Sequence, residues 1–464
     1  MRSSATGHGA GNRHLRARTA AVGMLVGVLA LAACSGGTTV GGTSTASDTS
    51  SPYGFKAAAQ TEGAPITVWV DSTRQPAAKA FQAAHPDIKI NIVAYDGNAN
   101  GSNTFKTKTQ LFDRAGSGWP DVAFTTDNNS AAWGSLTGTA ALAPVNKGLI
   151  PQASLDKFAK GALDVCTLDG VAYCLRNDLA QNVLWYNKKL MDEWGYTVPT
   201  TWEDYQTLAG KVATEHPGYI VGTAGDAWTP EIYFWAAQCP ANKVTGPTAV
   251  SVNTADPACV KAAKLLDGLI ANKTMSTLSL FGPEFAQTQG DKVLMLPGPS
   301  WYGGAVFQGA IKSPAGQIAA AAPLKWADSS SPATGNVGGG AWWISSHSAN
   351  LKAATEFATW VTSQSAFDGA LVPTYPANTA AAADWVKASQ KDGYYANDIQ
   401  PAFETAAAQV WSGWGSPSFS QEAIWAKVVQ AGMTKGQTIE SLLPAWQAQV
   451  ANEAKALGYT VTTP

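Results

Sequence analysis

The chain has 464 residues, with 31 Lys and Arg against 33 Asp and Glu, and a formal net charge of −2. Four of the basic residues lie in the first 18 positions. The remainder is therefore mildly acidic and has no basic runs, which argues against nucleic acid as a partner. The chain is longer than one hydrophobic core usually serves, which predicts two lobes.

The N-terminus has the pattern of an export signal. Residues 1–18 contain four arginines and no acid, and an apolar run follows from Ala20 to Ala33. The run is shorter than the roughly 20 residues that a membrane-spanning helix needs, so it predicts a cleaved signal peptide over residues 1–33. It ends in Leu31-Ala32-Ala33-Cys34, which resembles a bacterial lipobox and predicts a lipid anchor on Cys34. The alternative is a chance cysteine beside an ordinary cleavage site.

The segment that follows the predicted signal is rich in Ser, Thr and Gly. Residues 34–63 hold few large apolar side chains, cannot bury enough surface to fold, and are predicted to be a flexible tether. We therefore expect an exported protein, lipid-anchored at the outer face of the cytoplasmic membrane. No later stretch approaches 18 uninterrupted apolar residues, so no membrane-spanning helix is predicted in the rest of the chain.

The body begins with alternating strand and helix patterns. The predicted elements are, in chain order, strand 66–70, helix 76–84, strand 88–92, helix 104–115 and strand 121–124. Their spacing is typical of βαβ units, which predicts a parallel sheet in the first lobe of an α/β protein. Further along, Thr201 is predicted to cap a helix that begins at Trp202.

Five cysteines are present, and four remain when Cys34 is assigned to lipid. In an exported chain they predict two disulfides, Cys166–Cys174 and Cys239–Cys259. The first pair brackets an Asp169-Gly170 turn. A strict two-residue hairpin would place its two cysteines on opposite faces, so a bond there predicts an odd-numbered loop or a bulge. Zinc is the alternative, but the chain has no Cys-x-x-Cys pair and few histidines. Neither a metal site nor a cofactor is expected.

Three motifs in the middle of the chain carry a family resemblance. They are DGVAY at residues 169–173, VLWYNKKL at 183–190 and PTTWED at 199–204. The extracellular solute-binding proteins of bacteria, which include the maltose-type binding proteins, tend to show a "DGk-Y" hairpin, "YNK-L" and "P-TW-E" in this order. Weaker matches are GWPDV at 118–122, GPSW at 298–301 and GGGAWWIS at 338–345. From about residue 64 onward, the chain therefore resembles this family.

The resemblance implies a two-lobed fold like that of periplasmic binding proteins, with hinge-crossing segments and a ligand cleft between the lobes. Lobe 1 would comprise residues 64–175 and 325–372, and lobe 2 would comprise residues 178–322 and 375–464. Crossings would lie near 173–178, 323–326 and 371–376. The implied function is that of a monomeric binding protein that delivers a sugar or oligosaccharide to the membrane subunits of an ABC importer.

Polar candidates for ligand contact follow the predicted strands, where the loops of a parallel sheet gather. Asp71 and Arg74 follow the first strand, and Asp127 and Asn128 follow the third. Their alternative roles are solvated turn residues and helix caps. Asp178 occupies the place where the family often has an acidic ligand contact. Its alternative is a salt bridge with Arg176.

Aromatic candidates come from the 18 tryptophans, because an aromatic ring can stack on the apolar C–H face of a sugar. Most tryptophans should be core. The candidates for the cleft are Trp228, Trp301, Tyr302, Trp342, Trp411 and Trp414. Trp342 and Trp343 are adjacent on a predicted strand and point to opposite faces, so one is expected to pack and the other to reach the cleft.

Two other functions fit parts of the pattern. A non-sugar solute such as a polyol phosphate is the alternative within the binding class, although the few candidate cations disfavour an anionic ligand. An anchored glycoside hydrolase would also need cleft tryptophans, together with two suitably placed carboxyls. No hydrolase motif is present, so we expect a binding protein and not an enzyme.

Overall fold

The computed structural model describes residues 55–99, 102–127, 130, 141–363, 374–411 and 413–464. The predicted signal peptide, Cys34 and most of the predicted tether lie outside the described residues, as does Asn128. In this part of the chain, no helix is both long and apolar enough to cross a bilayer.

The secondary structure alternates strands and helices along most of the chain. The strands are β1 (Ile66–Val70), β2 (Ile90–Ala94), β3 (Val122–Thr125), β4 (Thr167–Leu168), β5 (Val171–Ala172), β6 (Leu175–Arg176), β7 (Asn182–Asn187), β8 (Gly222–Thr223), β9 (Lys243–Gly246), β10 (Ala249–Ser251), β11 (Met275–Ser276), β12 (Met295–Pro299), β13 (Ile318–Ala321), β14 (Ala341–Ile344) and β15 (Thr460–Thr462).

The α-helices are α1 (Gln75–Ala84), α2 (Thr104–Ala115), α3 (Gln152–Leu155), α4 (Lys188–Glu193), α5 (Trp202–Glu215), α6 (Pro257–Ala271), α7 (Pro283–Thr288), α8 (Leu351–Val361), α9 (Thr379–Lys391), α10 (Gln400–Ala407), α11 (Gln421–Trp425), α12 (Ala431–Met433) and α13 (Ile439–Ala456). Short 3₁₀ segments are Asp164–Cys166 and Gly290–Lys292, and π-helical segments are Pro230–Phe234, Gly303–Ala310 and Ala426–Gln430.

The first sheet has the strand order β2-β1-β3-β14-β6. β1 pairs in parallel with β2 and β3, as predicted from the βαβ spacing, while β14 adds antiparallel to β3 and β6. One face packs against α1 and α8 around Phe81, Trp342 and Phe357. The other face packs around Phe105 and Trp343. The sheet is therefore covered on both sides, as a largely parallel sheet requires.

A second, larger core surrounds the antiparallel sheet β12-β7-β13. Trp185 of β7 is fully buried there, and its indole nitrogen donates to the Pro299 carbonyl at 3.0 Å. Phe234, Trp425 and Trp446 meet edge to face with centroids 5.1 to 5.3 Å apart. These tryptophans supply core volume, which explains much of the unusual tryptophan content.

Three chain segments lie side by side between the two cores. Residues 177–181 receive backbone hydrogen bonds from residues 337 and 377, and donate in turn to Gly340 and Tyr375. The neighbouring segments are therefore 334–340 and 374–377. Leu324 and Trp326, which lie near the crossing expected at 323–326, pack within the second core instead. The chain passes between the cores about ten residues later, at the glycine-rich stretch.

Both predicted disulfides are present. Cys166–Cys174 spans 5.9 Å between Cα atoms, and Cys239–Cys259 spans 4.6 Å. The predicted odd-numbered loop or bulge is wrong, because β4 and β5 pair across a strict two-residue turn in which Asp169 and Gly170 both have positive φ. Cys166 ends the 3₁₀ segment before β4, so the alternation of a strand does not govern the direction of its side chain.

Candidate functional site

A cleft opens between the two cores and contains two adjoining cavities. The inner cavity, of about 90 Å³, is lined by Asp127 after β3 and by residues beside the second core that include Glu231 and Glu422. The side cavity, of about 180 Å³, is lined by residues that include Arg176 and Trp411. The residues that line both cavities are Val165, Trp235, Asn336, Gly415 and Ser416.

The two sides of the cleft touch each other at its edges. Ser416 Oγ donates to the Val165 carbonyl at 2.8 Å, and Lys106 Nζ donates to the Ser418 carbonyl at 3.2 Å. Asn336, on the segment between the cores, accepts from the Ala180 backbone through Oδ1 at 3.0 Å. The cleft is thus bordered by hydrogen bonds that join distant parts of the chain.

Three indole rings form an aromatic wall. Trp235 follows the π-helical segment Pro230–Phe234 and meets Trp411 edge to face at 6.1 Å and Trp414 at 5.4 Å. Trp414 is buried and its Nε1 donates to the Cys239 carbonyl at 2.7 Å, which fixes the wall from behind. Trp235 and Trp411 are only partly buried. The indole nitrogen of Trp235 has no hydrogen-bond partner among the described residues.

Three carboxylates line the inner cavity. Glu231 is 8% exposed, and its Oε2 has no hydrogen-bond partner within the described part of the chain. Burial, with the nearby charge of Glu422, raises the pKa of Glu231 well above its usual range. Burial and the charge of Asp127 raise the pKa of Glu422 to about 7. Asp127 is itself held by Asn98 Nδ2 at 2.6 Å and Ser130 Oγ at 2.8 Å.

The structure brings three of the predicted polar residues together, although none of them lines either cavity. Arg74 Nη1 lies 3.3 Å from Asp71 Oδ2, and Nη2 lies 3.4 Å from Asp178 Oδ1. The guanidinium also lies 4.3 Å from the centroid of the Phe124 ring. Asp178 Oδ1 accepts a further bond from Asn177 Nδ2 at 2.7 Å, while its buried Oδ2 has no partner in the residues that the structure describes. The ion pair of Asp178 is thus with Arg74.

Arg176 has a structural position between the crossing segments. It is 1% exposed, donates from Nε to the Asp178 carbonyl at 3.0 Å and donates from Nη2 to the Gly338 carbonyl. Burial lowers its pKa to about 10. Gly339 has a φ of +76°, and a Cβ there would collide with the Arg176 guanidinium. Glycine is therefore required at this point.

The predicted aromatic residues divide between the cleft and other places. Trp411 and Trp414 line the cavities. Trp228, Trp301 and Tyr302 form a separate cluster that lines neither: Trp228 Nε1 donates to the Tyr302 hydroxyl at 2.8 Å, and Trp301 Nε1 donates to the Val337 carbonyl at 2.9 Å. Trp228 and Tyr302 are buried, and Trp301 is partly buried.

Trp342 lies in the first core instead of at the cleft. Its side chain is fully buried between Phe124 and Phe357, and its Nε1 donates to Asn177 Oδ1 at 2.9 Å. Trp343 is buried on the opposite face and donates to Thr125 Oγ1 at 2.7 Å. Both faces of this sheet are covered, so alternation along β14 directs both indoles into cores.

Sequence reasoning missed Glu231, Trp235, Asn336 and Glu422. Glu231 and Trp235 lie in the apolar run PEIYFWAA, where an aromatic residue is normally assigned to a core. The local signal for Glu231 was an acidic residue at the start of an apolar helical segment. The burial of Glu231 depends on contacts with distant segments, which a local sequence pattern does not predict.

An α/β body with two cores, adjacent crossing segments and a polar and aromatic cleft between them defines a two-lobed binding protein. The sequence model described as "Bacterial extracellular solute-binding protein" matches residues 65–366, which is more than half of the chain. The chain belongs to this family, which is one of solute-binding proteins and not of enzymes.

Solved structures share the fold. The galacto-N-biose/lacto-N-biose I-binding protein of the ABC transporter from Bifidobacterium longum, solved with lacto-N-biose, superposes with a TM-score of 0.71 at 21% identity, over 87% of this chain and 100% of that one. An ABC transporter associated binding protein from B. animalis subsp. lactis, in complex with β-1,6-galactobiose, has a TM-score of 0.69 at 22% identity, over 86% and 99%.

A sequence relative is the arabinooligosaccharide-binding protein of Halalkalibacterium halodurans. It is 29% identical over 153 residues. The match spans 32% of this chain and 32% of that protein, so the chain is aligned to about a third of the relative's length.

Proposed function

We propose that the protein is a lipid-anchored extracellular binding protein that captures a sugar or oligosaccharide for an ABC importer. The observation that carries the proposal is the composition of the cleft, where the rings of Trp235 and Trp411 stand beside carboxylates and the Asn336 amide. Rings stack on the apolar face of a sugar, while carboxylates and amides pair with its hydroxyls.

Similar proteins support the ligand class. Two proteins of this fold were solved with the disaccharides β-1,6-galactobiose and lacto-N-biose. A sequence relative is named as an arabinooligosaccharide-binding protein. Both structural relatives are associated with ABC transporters. We extend these properties to this chain as part of the proposal, with Cys34 as the anchor and a monomer as the working unit.

We propose that the two lobes close around the ligand and that the ligand is bound without any covalent change. Ligand would contact Asp127 from one side and Glu231, Trp235 and Glu422 from the other, so binding favours the closed arrangement of two lobes. We keep the two-lobe division as part of the proposal, with the second crossing placed at residues 334–340. The importer's membrane subunits would then recognise the closed form.

A strongly anionic ligand such as a polyol phosphate is disfavoured. The described residues that line the inner cavity include three carboxylates and no Lys, Arg or His. In the side cavity, Arg176 donates to backbone carbonyls of the crossing segments, and Lys160 is exposed. A phosphate would therefore find no cationic partner among the described residues of the inner cavity, which weakens binding.

The test is a titration of the purified full-length protein in detergent with a panel of neutral gluco-, galacto- and arabino-oligosaccharides. Intrinsic tryptophan fluorescence should change saturably with at least one sugar, because Trp235 and Trp411 line the cleft. The absence of a response to every sugar, checked by calorimetry, would overturn the proposed ligand class.

A further inference from the structure

We propose that the ligand carries a protonated amine, as in an oligosaccharide with a 2-amino-2-deoxy sugar, and that Asp127, Glu231 and Glu422 receive it. The inference rests on the proposed function and narrows its substrate class. It follows from three features of the inner cavity: three carboxylates with no cationic side chain in the described lining, a buried oxygen that accepts no hydrogen bond from the described residues, and an aromatic wall.

The first feature is the charge of the lining. Asp127, Glu231 and Glu422 line the inner cavity, and the described part of the lining contributes no cationic side chain. Lys106 interacts with Asp127 and donates to the Ser418 carbonyl. It can offset the charge of one carboxylate, and the remaining acids repel one another as long as no cation is bound.

The second feature is the unpartnered oxygen of Glu231. More than nine-tenths of this residue is buried, and Oε2 accepts no hydrogen bond from the described residues. A sugar hydroxyl could pair with this carboxyl but would not favour its ionised form. An ammonium group supplies the hydrogen bond and favours ionisation, since it has three N–H donors and one positive charge for a cavity that offers several acceptors.

A metal ion is the other cation to consider. Within the described residues, no group of three or more His, Cys, Asp or Glu is arranged to hold a metal. Among the described residues the three acids therefore do not offer a metal site, and a molecular cation is the alternative. An ammonium group attached to a ligand fits that description.

The third feature is the aromatic wall beside the acids. Trp235 lines the same cavity, and a cation near an indole ring gains a cation–π contribution. The described residues also provide no acceptor for the indole nitrogen of Trp235. A ligand that offers both an amine and hydroxyl oxygens would satisfy the acids and this donor together, which points to an amino sugar instead of a simple amine.

The pKa directions agree with this geometry. Burial and mutual repulsion raise the pKa of both Glu231 and Glu422. The charged groups that act on Glu422 are Asp127 and Glu231, while Lys427 on the following π-helical segment lies 4.0 Å from Glu453. A bound cation would reverse the repulsion and favour the ionised forms.

The test compares pairs of ligands that differ only at C2. The titrations use sets of three ligands at pH 7: a neutral sugar, its 2-amino-2-deoxy counterpart and the N-acetylated form of that amine. The neutral sugars are the oligosaccharides that bind in the first test and the other β-linked disaccharides of the panel. Cellobiose and the glucosamine disaccharide are one such pair. The amine should bind at least about tenfold tighter than its hydroxyl and N-acetyl counterparts in at least one set.

The tighter binding of the amine should disappear in Glu231→Gln, which keeps the shape of the side chain and removes its ionisable carboxyl. Glu284→Gln, an exposed carboxylate on α7, is the matched control and should retain it. If neutral sugars bind and no amine binds tighter, the amine proposal is overturned while the proposed function stands. If no member of any set binds, both are overturned.

Discussion

Arg74 joins the loop after β1 to the first segment between the two cores, through an Nη2 that lies 3.4 Å from Asp178 Oδ1. Both side chains are at least nine-tenths buried, and Asp71 completes the network at 3.3 Å from Nη1. Replacement of one partner leaves the others as buried, uncompensated charges, which is the costly way to break an ion pair.

Arg74→Met should therefore lower the free energy of unfolding by about 3 kcal/mol. Urea titration monitored by circular dichroism measures this change in unfolding free energy. Lys352→Met is the matched control, because Lys352 and Glu62 form an exposed pair at 4.0 Å whose loss should cost less than about 0.5 kcal/mol. If the two substitutions lower the free energy of unfolding equally, the Arg74 network contributes no more stability than an exposed ion pair.

Trp235→Ala should weaken binding of the sugar found in the titrations by about 10- to 100-fold, through loss of ring stacking in the cleft. Calorimetry measures the change. The matched control is Trp194→Ala, because Trp194 is also partly buried but stacks on His216 at 3.6 Å and lines neither cavity. If both variants bind like the parent protein, Trp235 makes no ligand contact.

Glu422→Gln should stabilise the ligand-free protein at pH 7.5 and have little effect near pH 4. The folded protein holds the pKa of Glu422 at about 7, above its ordinary value, so the folded state binds more protons than the unfolded state between those pKa values. Stability is consequently lost as pH rises through that window, and glutamine avoids the loss.

Because Glu422 is partly shielded from solvent, we expect a gain of about 1–3 kcal/mol at pH 7.5. Urea titrations at the two pH values measure the difference. Glu284→Gln should show no comparable pH dependence, since Glu284 is exposed. A gain of the same size at pH 4 would assign the effect to packing instead of charge.

Cys34→Ala should release the protein from membranes. A lipid-modified Cys34 partitions into the detergent phase of a Triton X-114 extraction, while the alanine variant should appear in the aqueous phase and in the culture medium. Cys166→Ala/Cys174→Ala, which removes a disulfide of the body, is the control and should stay with the membrane. Membrane retention of Cys34→Ala would refute the anchor.

Much of the first lobe, and the start of α5 in the second, was predictable because the signals are local. The apolar run of β1, the alternation in β2, the helical stretches of α1 and α2, and the cap at Thr201 depend on residues a few positions apart. The two disulfides followed from cysteine number and export, although the loop between Cys166 and Cys174 was mispredicted. That prediction assumed that both cysteines belong to the strands, whereas Cys166 ends a 3₁₀ turn.

The cleft itself was only partly predictable. Asp127, Trp411 and Trp414 were identified, whereas Glu231, Trp235 and Glu422 were missed. The sequence alone determined the export pattern, the order of elements and the family motifs, because these are carried by neighbouring residues. The tertiary structure decided which polar and aromatic side chains meet: Asp127 and Glu422 are nearly 300 positions apart, and only the packing of the crossing segments places them around one cavity.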